Sequence, residues 1–375
     1  MINIMILLFF KYGNMMLAFA EGILSVRAIP MKQVAFNIIL MNRTNAIPIT
    51  SIVLPLAISF VVFQSISYLV DVYTEKISAE DNLFVFALYE LAFFQLVQGP
   101  IIRYPDIAPQ LRNRELTTDQ TIEGIRRFCQ GLGKKVIIAN SLALVVNPLW
   151  EQTYSIGTMD AWVALILYAF QIYYDFSGYS DMAVGLGKML GFDICENFNR
   201  PYISKSVQEF WRRWHISLSS WFKDYLYIPL GGNRKGKNRT LVNILIVFLV
   251  TGIWHGANWT FILWGLWYAL FLILERVFLK KVLDRNPIKI INWAYTFMVV
   301  ILGWASYTDY IVVIAVIAAI LFMGPVQEKF GEKYSQFRET KIGFTIDFIF
   351  GMMILVYSVI LIINGSYSPS IYAGF

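Results

Sequence analysis

Two histidines are the only imidazoles in a chain of 375 residues, and each stands where proton transfer is chemically plausible. His255 lies in "GIWHGANWT", the one polar, glycine-bearing point of the 34-residue run Leu241 to Leu274, which holds no Asp, Glu, Lys or Arg. His215 lies in "EFWRRWHISLSSWFKDYLYIPLGGNRKGKNR", where residues 209–239 crowd three tryptophans together with a run of Arg and Lys. Neutral imidazole near pH 7 takes a proton from a hydroxyl and returns it to a leaving group, so two histidines near opposite ends of one basic-to-apolar region suit acyl or group transfer. Each histidine also has a plainer reading. A lone imidazole beside a helix face is more often a hydrogen-bonded structural residue, and "HGAN" between apolar arms also suits a Trp-anchored hairpin tip at the membrane surface.

The elements that must position these residues are membrane helices. Hydrophobic residues make up 57% of the chain and charged ones 15%, against roughly 25% charged in soluble domains. Uncharged runs cover 49–70, 290–308 and 310–327, with further apolar segments near 3–20, 83–102, 136–150, 161–174 and 348–363. With the run at 241–274, the count is about ten membrane segments. That run is too long for one span and short for two. Cut at "HGAN", it leaves arms of 14 and 16 residues, about 21 and 24 Å as helices against a hydrocarbon core of ~30 Å. The turn therefore falls below the far surface, where non-helical backbone needs protein or water around it. A hydrated funnel or tunnel ending at His255 is the economical picture.

On a 3.6-residue period Val207, Trp211, Trp214, Leu218, Trp221, Phe222 and Tyr225 form one apolar face, with Arg212, Arg213, Ser219 and Lys223 mostly elsewhere. This predicts an interfacial amphipathic helix with His215 at the edge of its apolar face, ended by Pro229, Gly231 and Gly232. Residues 200–239 carry a net charge of +7 in a chain of net +6. Such an excess beside membrane spans predicts a cytoplasmic segment touching anionic membrane lipids, with weaker basic clusters at 126–135 and 280–289 on the same side. Nucleic acid is not an expected partner for a basic stretch flanked by spans.

Asp175, Ser177, Tyr179, Ser180 and Asp181 follow an apolar run, in a predicted Gly-containing turn where capping explains them about as well as chemistry. An acid there can also orient an imidazole. Glu90 is the other acid within an apolar run. Cys129 and Cys195 read as small buried residues, and two distant histidines give no metal spacing. No Gly-x-Ser-x-Gly elbow, P-loop or dinucleotide fingerprint is present. Met1 leads almost directly into an apolar run with Lys11 near its middle, unlike a cleavable signal, so the first helix is expected in the mature protein.

The motifs "YYDFSGYSDMAVGLGKMLGF" (173–192), "NFNRPY" (197–202), "EFWRRWHISLSSWFKDYLYIPLGGNR" (209–234) and "GIWHGANWTFILWG" (252–265) together resemble the membrane-bound O-acyltransferase (MBOAT) family. Weaker matches lie at 54–73 and 93–111, and "SPSIYAGF" resembles the family's C-terminal tail. The likeness is to the branch holding the membrane subunits for alginate and peptidoglycan O-acetylation. A D-alanyl transfer protein of teichoic acid synthesis shares "RRWH" and "WHG", but "YIPLGGNR" favours the O-acetylation branch. The resemblance implies an all-α polytopic protein whose membrane helices form a ring around a central tunnel. It implies an acyl thioester donor such as acetyl-CoA on the cytoplasmic side, no bound cofactor, and an extracytoplasmic polysaccharide acceptor or a periplasmic acetyltransferase partner. The setting implied is the bacterial inner membrane.

By the same resemblance His255 is essential for transfer, and His215 serves donor contact or positioning. Arg212, Arg213, Trp254, Asn258, Asp175 and Asp181 are the expected donor- or substrate-binding residues. Several family features are absent. The pattern usually holds further membrane segments before "FFKYGNMM", so residues 1–375 read as one O-acyltransferase domain lacking them; the stretch after "LGWASYTDY" is shorter, an aromatic-Arg pair is missing, and Phe94 stands where Pro is common. A membrane transporter and an inactive scaffold are the rival classes.

Overall fold

Apolar runs separated by short polar breaks satisfy their own backbone only as helices, and every regular element among the described residues is helical. The structure, a computed structural model, describes residues 2–24, 57–151, 157–256 and 258–308. The expected segments at 310–327 and 348–363, the start of that at 49–70, and the C-terminal "SPSIYAGF" lie outside these residues. The α-helices are α1 (Ile2–Leu24), α2 (Ile58–Tyr73), α3 (Leu83–Leu91), α4 (Tyr104–Arg112), α5 (Thr118–Gly133), α6 (Asn140–Glu151) and α7 (Thr158–Met189). There follow α8 (Val207–Arg213), α9 (Ile216–Phe222), α10 (Lys237–His255), α11 (Trp259–Leu274), α12 (Lys280–Arg285) and α13 (Lys289–Thr308).

Among the described residues three stretches are long and apolar enough to cross a membrane: Thr118–Trp150, Lys237–His255 and Trp259–Arg285. Ile2–Gly13, Ile58–Tyr73, Leu83–Gln95 and Lys289–Ala305 are shorter apolar helices. The segment expected at 136–150 is thus the end of a longer run, in which α5 passes through the π-helical Lys134–Ala139 into α6. The segment expected at 83–102 is not continuous. Asn82 caps α3 through the Phe84 N–H at 2.9 Å, nine residues follow, and the chain then makes one tight turn over Phe93–Gln95. Val97 takes φ +64°, Gly99 lies so close to the Phe94 carbonyl that a Cβ there would stand 2.3 Å from it, and Pro100 prevents helix resumption.

The 32-residue α7 packs along α5, and glycines let the two backbones meet. A Cβ on Gly131 would lie 2.5 Å from the Gly178 carbonyl oxygen. This overturns the predicted turn at 175–181, since Gly178 sits mid-helix as a contact point. Cys129 and Cys195 are exposed, not buried. The core around the site is aromatic: Phe210 and Trp214 of α8 and its end, Trp264 and Tyr268 of α11, and Trp304 of α13 are all buried in one cluster.

Candidate active site

The sequence around His215 folds as two short helices instead of one. Trp214 is extended, and His215 takes the left-handed conformation at φ +45°, so α8 and α9 meet at an angle. The amphipathic pattern persists across the break: Val207, Phe210, Trp214, Leu218, Trp221 and Phe222 are buried while Gln208, Arg212 and Lys223 are exposed. The tryptophans face protein: Trp211 and Trp214 pack into the cluster with α7, α11 and α13, and Trp221 packs on Phe63 of α2.

Asn197 holds the break together. Its backbone carbonyl accepts from the Ile216 N–H at 2.9 Å, and its side-chain Oδ1 accepts from the Ser217 N–H at 3.2 Å and the Ser217 hydroxyl at 2.9 Å. The Oδ1 also lies 3.0 Å from His215 Nδ1. Because the Ser217 N–H can only donate, that atom is the amide oxygen, and His215 must donate from Nδ1. The imidazole is therefore held in the tautomer whose Nε2 carries the lone pair. His215 is 4% exposed, and the Phe176 ring meets it edge-on at 4.7 Å.

His255 ends α10, and the chain breaks at Gly256 before Asn258 caps α11 through the Thr260 N–H at 3.2 Å. The expected hairpin with its break at "HGAN" is present. Its arms touch through small residues, since a Cβ on Gly252 would stand 2.4 Å from the Phe261 carbonyl. The half-buried His255 ring lies 4.7 Å from the Trp254 ring and 4.7 Å from that of Trp264. Trp254 packs on Phe63 of α2, and its buried indole N–H has no acceptor among the described residues.

The two histidines share an aromatic wall. Trp264, beside His255, meets Trp211 at 5.6 Å and Trp304 at 6.4 Å, and Trp304 lies 4.8 Å from Trp214, the neighbour of His215. Residues 40 apart in sequence thus line one region. From α1, Lys11 Nζ stands over the Trp254 ring at 5.0 Å, and the Tyr12 hydroxyl reaches the carbonyls of Ile253 and Gly256.

The remaining candidates lie elsewhere. Asp181 pairs with Arg127 at 2.7 Å and Lys134 at 2.5 Å, and Asp175 pairs with Lys135. Both acids join α7 to α5 and its continuation, and neither contacts an imidazole among the described residues. Arg213 pairs with Glu209 at 2.8 Å, and Arg212 is on the exposed face of α8. Trp259, the first residue of α11, is 76% exposed. No group of three or more His, Cys, Asp or Glu placed to hold a metal occurs among the described residues. Sequence reasoning missed Asn197, Lys11, Tyr12 and Trp264. Asn197 and Trp264 were inside quoted motifs, and Lys11 was visible as a charge interrupting an apolar run.

The profile of the membrane-bound O-acyltransferase family, MBOAT, matches residues 75–312, a stretch running from after α2 past α13 and including both histidines. The chain belongs to this family. The membrane-bound family and the apolar helices make it a multi-pass membrane protein. Among its relatives, it is 44% identical over 82% of its length to the probable alginate O-acetylase AlgI of Pseudomonas putida, covering 60% of that protein. It is 35% identical over 81% of its length to the peptidoglycan O-acetyltransferase of Helicobacter pylori, again covering 60%. A teichoic acid D-alanyltransferase of Streptococcus thermophilus is more distant, 28% identical over 60% of this chain and 58% of that one. The chain thus spans about three-fifths of the length of these relatives.

Proposed function

We propose that this chain is an O-acetyltransferase of the bacterial inner membrane, moving an acetyl group from a cytoplasmic thioester donor, acetyl-CoA, to a hydroxyl of an extracytoplasmic polysaccharide or to a partner protein that completes the transfer. The observation that carries the reading is His255 at the break of the α10–α11 hairpin, flanked by Trp254 and Trp264, in a member of this family. The higher identity to the O-acetylating relatives ranks acetyl above D-alanyl transfer. About ten membrane helices forming a ring around a tunnel complete the architecture we infer, with donor and acceptor entering from opposite ends.

His255 acts as general base. Its basic nitrogen takes the proton of the acceptor hydroxyl as that oxygen bonds to the acyl carbonyl; the tetrahedral oxyanion collapses, the carbon–sulfur bond breaks, and the imidazolium returns the proton to the departing thiolate. The Trp254 indole N–H is a donor available to the oxyanion. His215, locked by Asn197, positions the donor end, and Arg212 offers a cation to donor phosphates.

The test is ester-linked acetyl in envelope polysaccharide of cells expressing the chain. Parent-dependent acetyl that disappears with His255→Gln, which keeps hydrogen bonding but has no basic nitrogen, is the expected result. A variant that works as well as the parent rejects the base and favours a transporter, while a folded parent that adds no acetyl favours a scaffold.

A further inference from the structure

Lys11 is an ammonium in an apolar helix, in a chain that otherwise keeps its cations near polar segments. A charge in such a place is costly, and intramembrane charges that persist commonly serve function. Among the described residues no carboxylate lies within ion-pair distance of it. Its Nζ stands instead 5.0 Å above the Trp254 ring, whose centroid lies 4.7 Å from that of the His255 ring. Its place there is fixed by its neighbour. Tyr12 contacts the carbonyl of Ile253 and, at 3.1 Å, that of Gly256, groups that the end of α10 leaves without helical partners. The Tyr12 hydroxyl therefore ties α1 to the tip of the His255 hairpin, and the residue before it delivers the cation.

Resting on the acyl-transfer reading above, we propose that Lys11 is a catalytic residue of that site, its ammonium stabilising the oxyanion that forms when the acceptor hydroxyl attacks the acyl carbonyl beside His255. A cation there matches charge that exists only in the transition state. It lowers the barrier without tightening donor binding. The ammonium keeps all its protons through the step: the hydroxyl proton goes to His255 and from there to the thiolate. Trp254 serves twice, holding the ammonium on its ring face and presenting its buried N–H as a second donor.

The experiment compares the reconstituted 375-residue parent with Lys11→Met and Lys11→Arg, measuring kcat and KM for acetyl-CoA and the thermal midpoint of each. Lys11→Met is expected to lose about 10²- to 10³-fold in kcat, with KM within about threefold and a midpoint no lower than the parent's, because an uncharged side chain replaces a buried charge. Lys11→Arg, which keeps the cation, is expected to stay within about tenfold of the parent. Unchanged kcat in Lys11→Met overturns the proposal. So does a raised KM at parental kcat, which marks a donor-binding cation, or a loss that follows a fallen midpoint and is not restored by Arg, which marks a structural one. A folded parent with no transfer rejects the acyl-transfer reading itself, and this inference with it.

Discussion

Replacing Asn197 by Ala should unlock the break that presents His215, and the size of the effect follows from its hydrogen bonds. The side chain is 1% exposed, and its Oδ1 accepts from His215 Nδ1 at 3.0 Å, from the Ser217 N–H at 3.2 Å and from the Ser217 hydroxyl at 2.9 Å. Stranding a buried donor costs about 1–3 kcal/mol. The hydroxyl can rotate to another acceptor, whereas the backbone N–H and the ring N–H cannot, so two donors set the cost at about 2–6 kcal/mol. The assay is equilibrium unfolding in mixed micelles, run with a cycle that adds Ser217→Ala. The double variant should lose less than the sum of the single ones, by roughly 0.5–1.5 kcal/mol, since both remove the same bond. A loss below about 0.5 kcal/mol for Asn197→Ala, or strict additivity, would refute the claim that this side chain braces the histidine.

Helix contact and surface charge give two more tests. Gly131→Leu puts side-chain atoms where a Cβ alone would already stand 2.5 Å from the Gly178 carbonyl; parting α5 from α7 should cost about 1–3 kcal/mol in the same unfolding assay, and an unchanged midpoint would reject that contact. The Glu80 carboxylate is held down to about 2 by the Arg112 guanidinium at 2.6 and 2.7 Å, by the Tyr104 hydroxyl, and by the Asn82 N–H at 2.9 Å. Its folded value lies below the ordinary carboxylate range, so its stabilisation is complete above about pH 5 and fades as pH falls from about 4.3 toward 2. The stability gap between the parent and Glu80→Gln should therefore be flat near neutrality and shrink across that window; a gap that ignores pH would contradict the pairing.

Sequence reasoning reached furthest where the signal is local. The absence of charge over 241–274 and the single polar point at "HGAN" led to the hairpin and its break, because length against bilayer thickness leaves few alternatives. The amphipathic period of 207–225 placed the buried face correctly, yet the break at Trp214–His215 escaped it, since two helices meeting at one left-handed residue nearly preserve the 3.6-residue pattern. Gln98-Gly99-Pro100 was punctuation inside an apolar run, and reading hydropathy alone passed over it. Asp175 and Asp181 looked like turn residues because their partners, Lys135, Lys134 and Arg127, are 40 or more positions away. Contact between Tyr12 and Ile253 spans 241 positions, a separation that no local pattern encodes.

The most direct measurement is single-turnover transfer from radiolabelled acetyl-CoA by purified chain in proteoliposomes, comparing the parent with His255→Ala and His215→Ala. The account predicts label on a hydroxyl acceptor or partner with the parent, and a fall of about 10²- to 10⁴-fold in His255→Ala while that variant stays folded. Undiminished transfer by folded His255→Ala would contradict it.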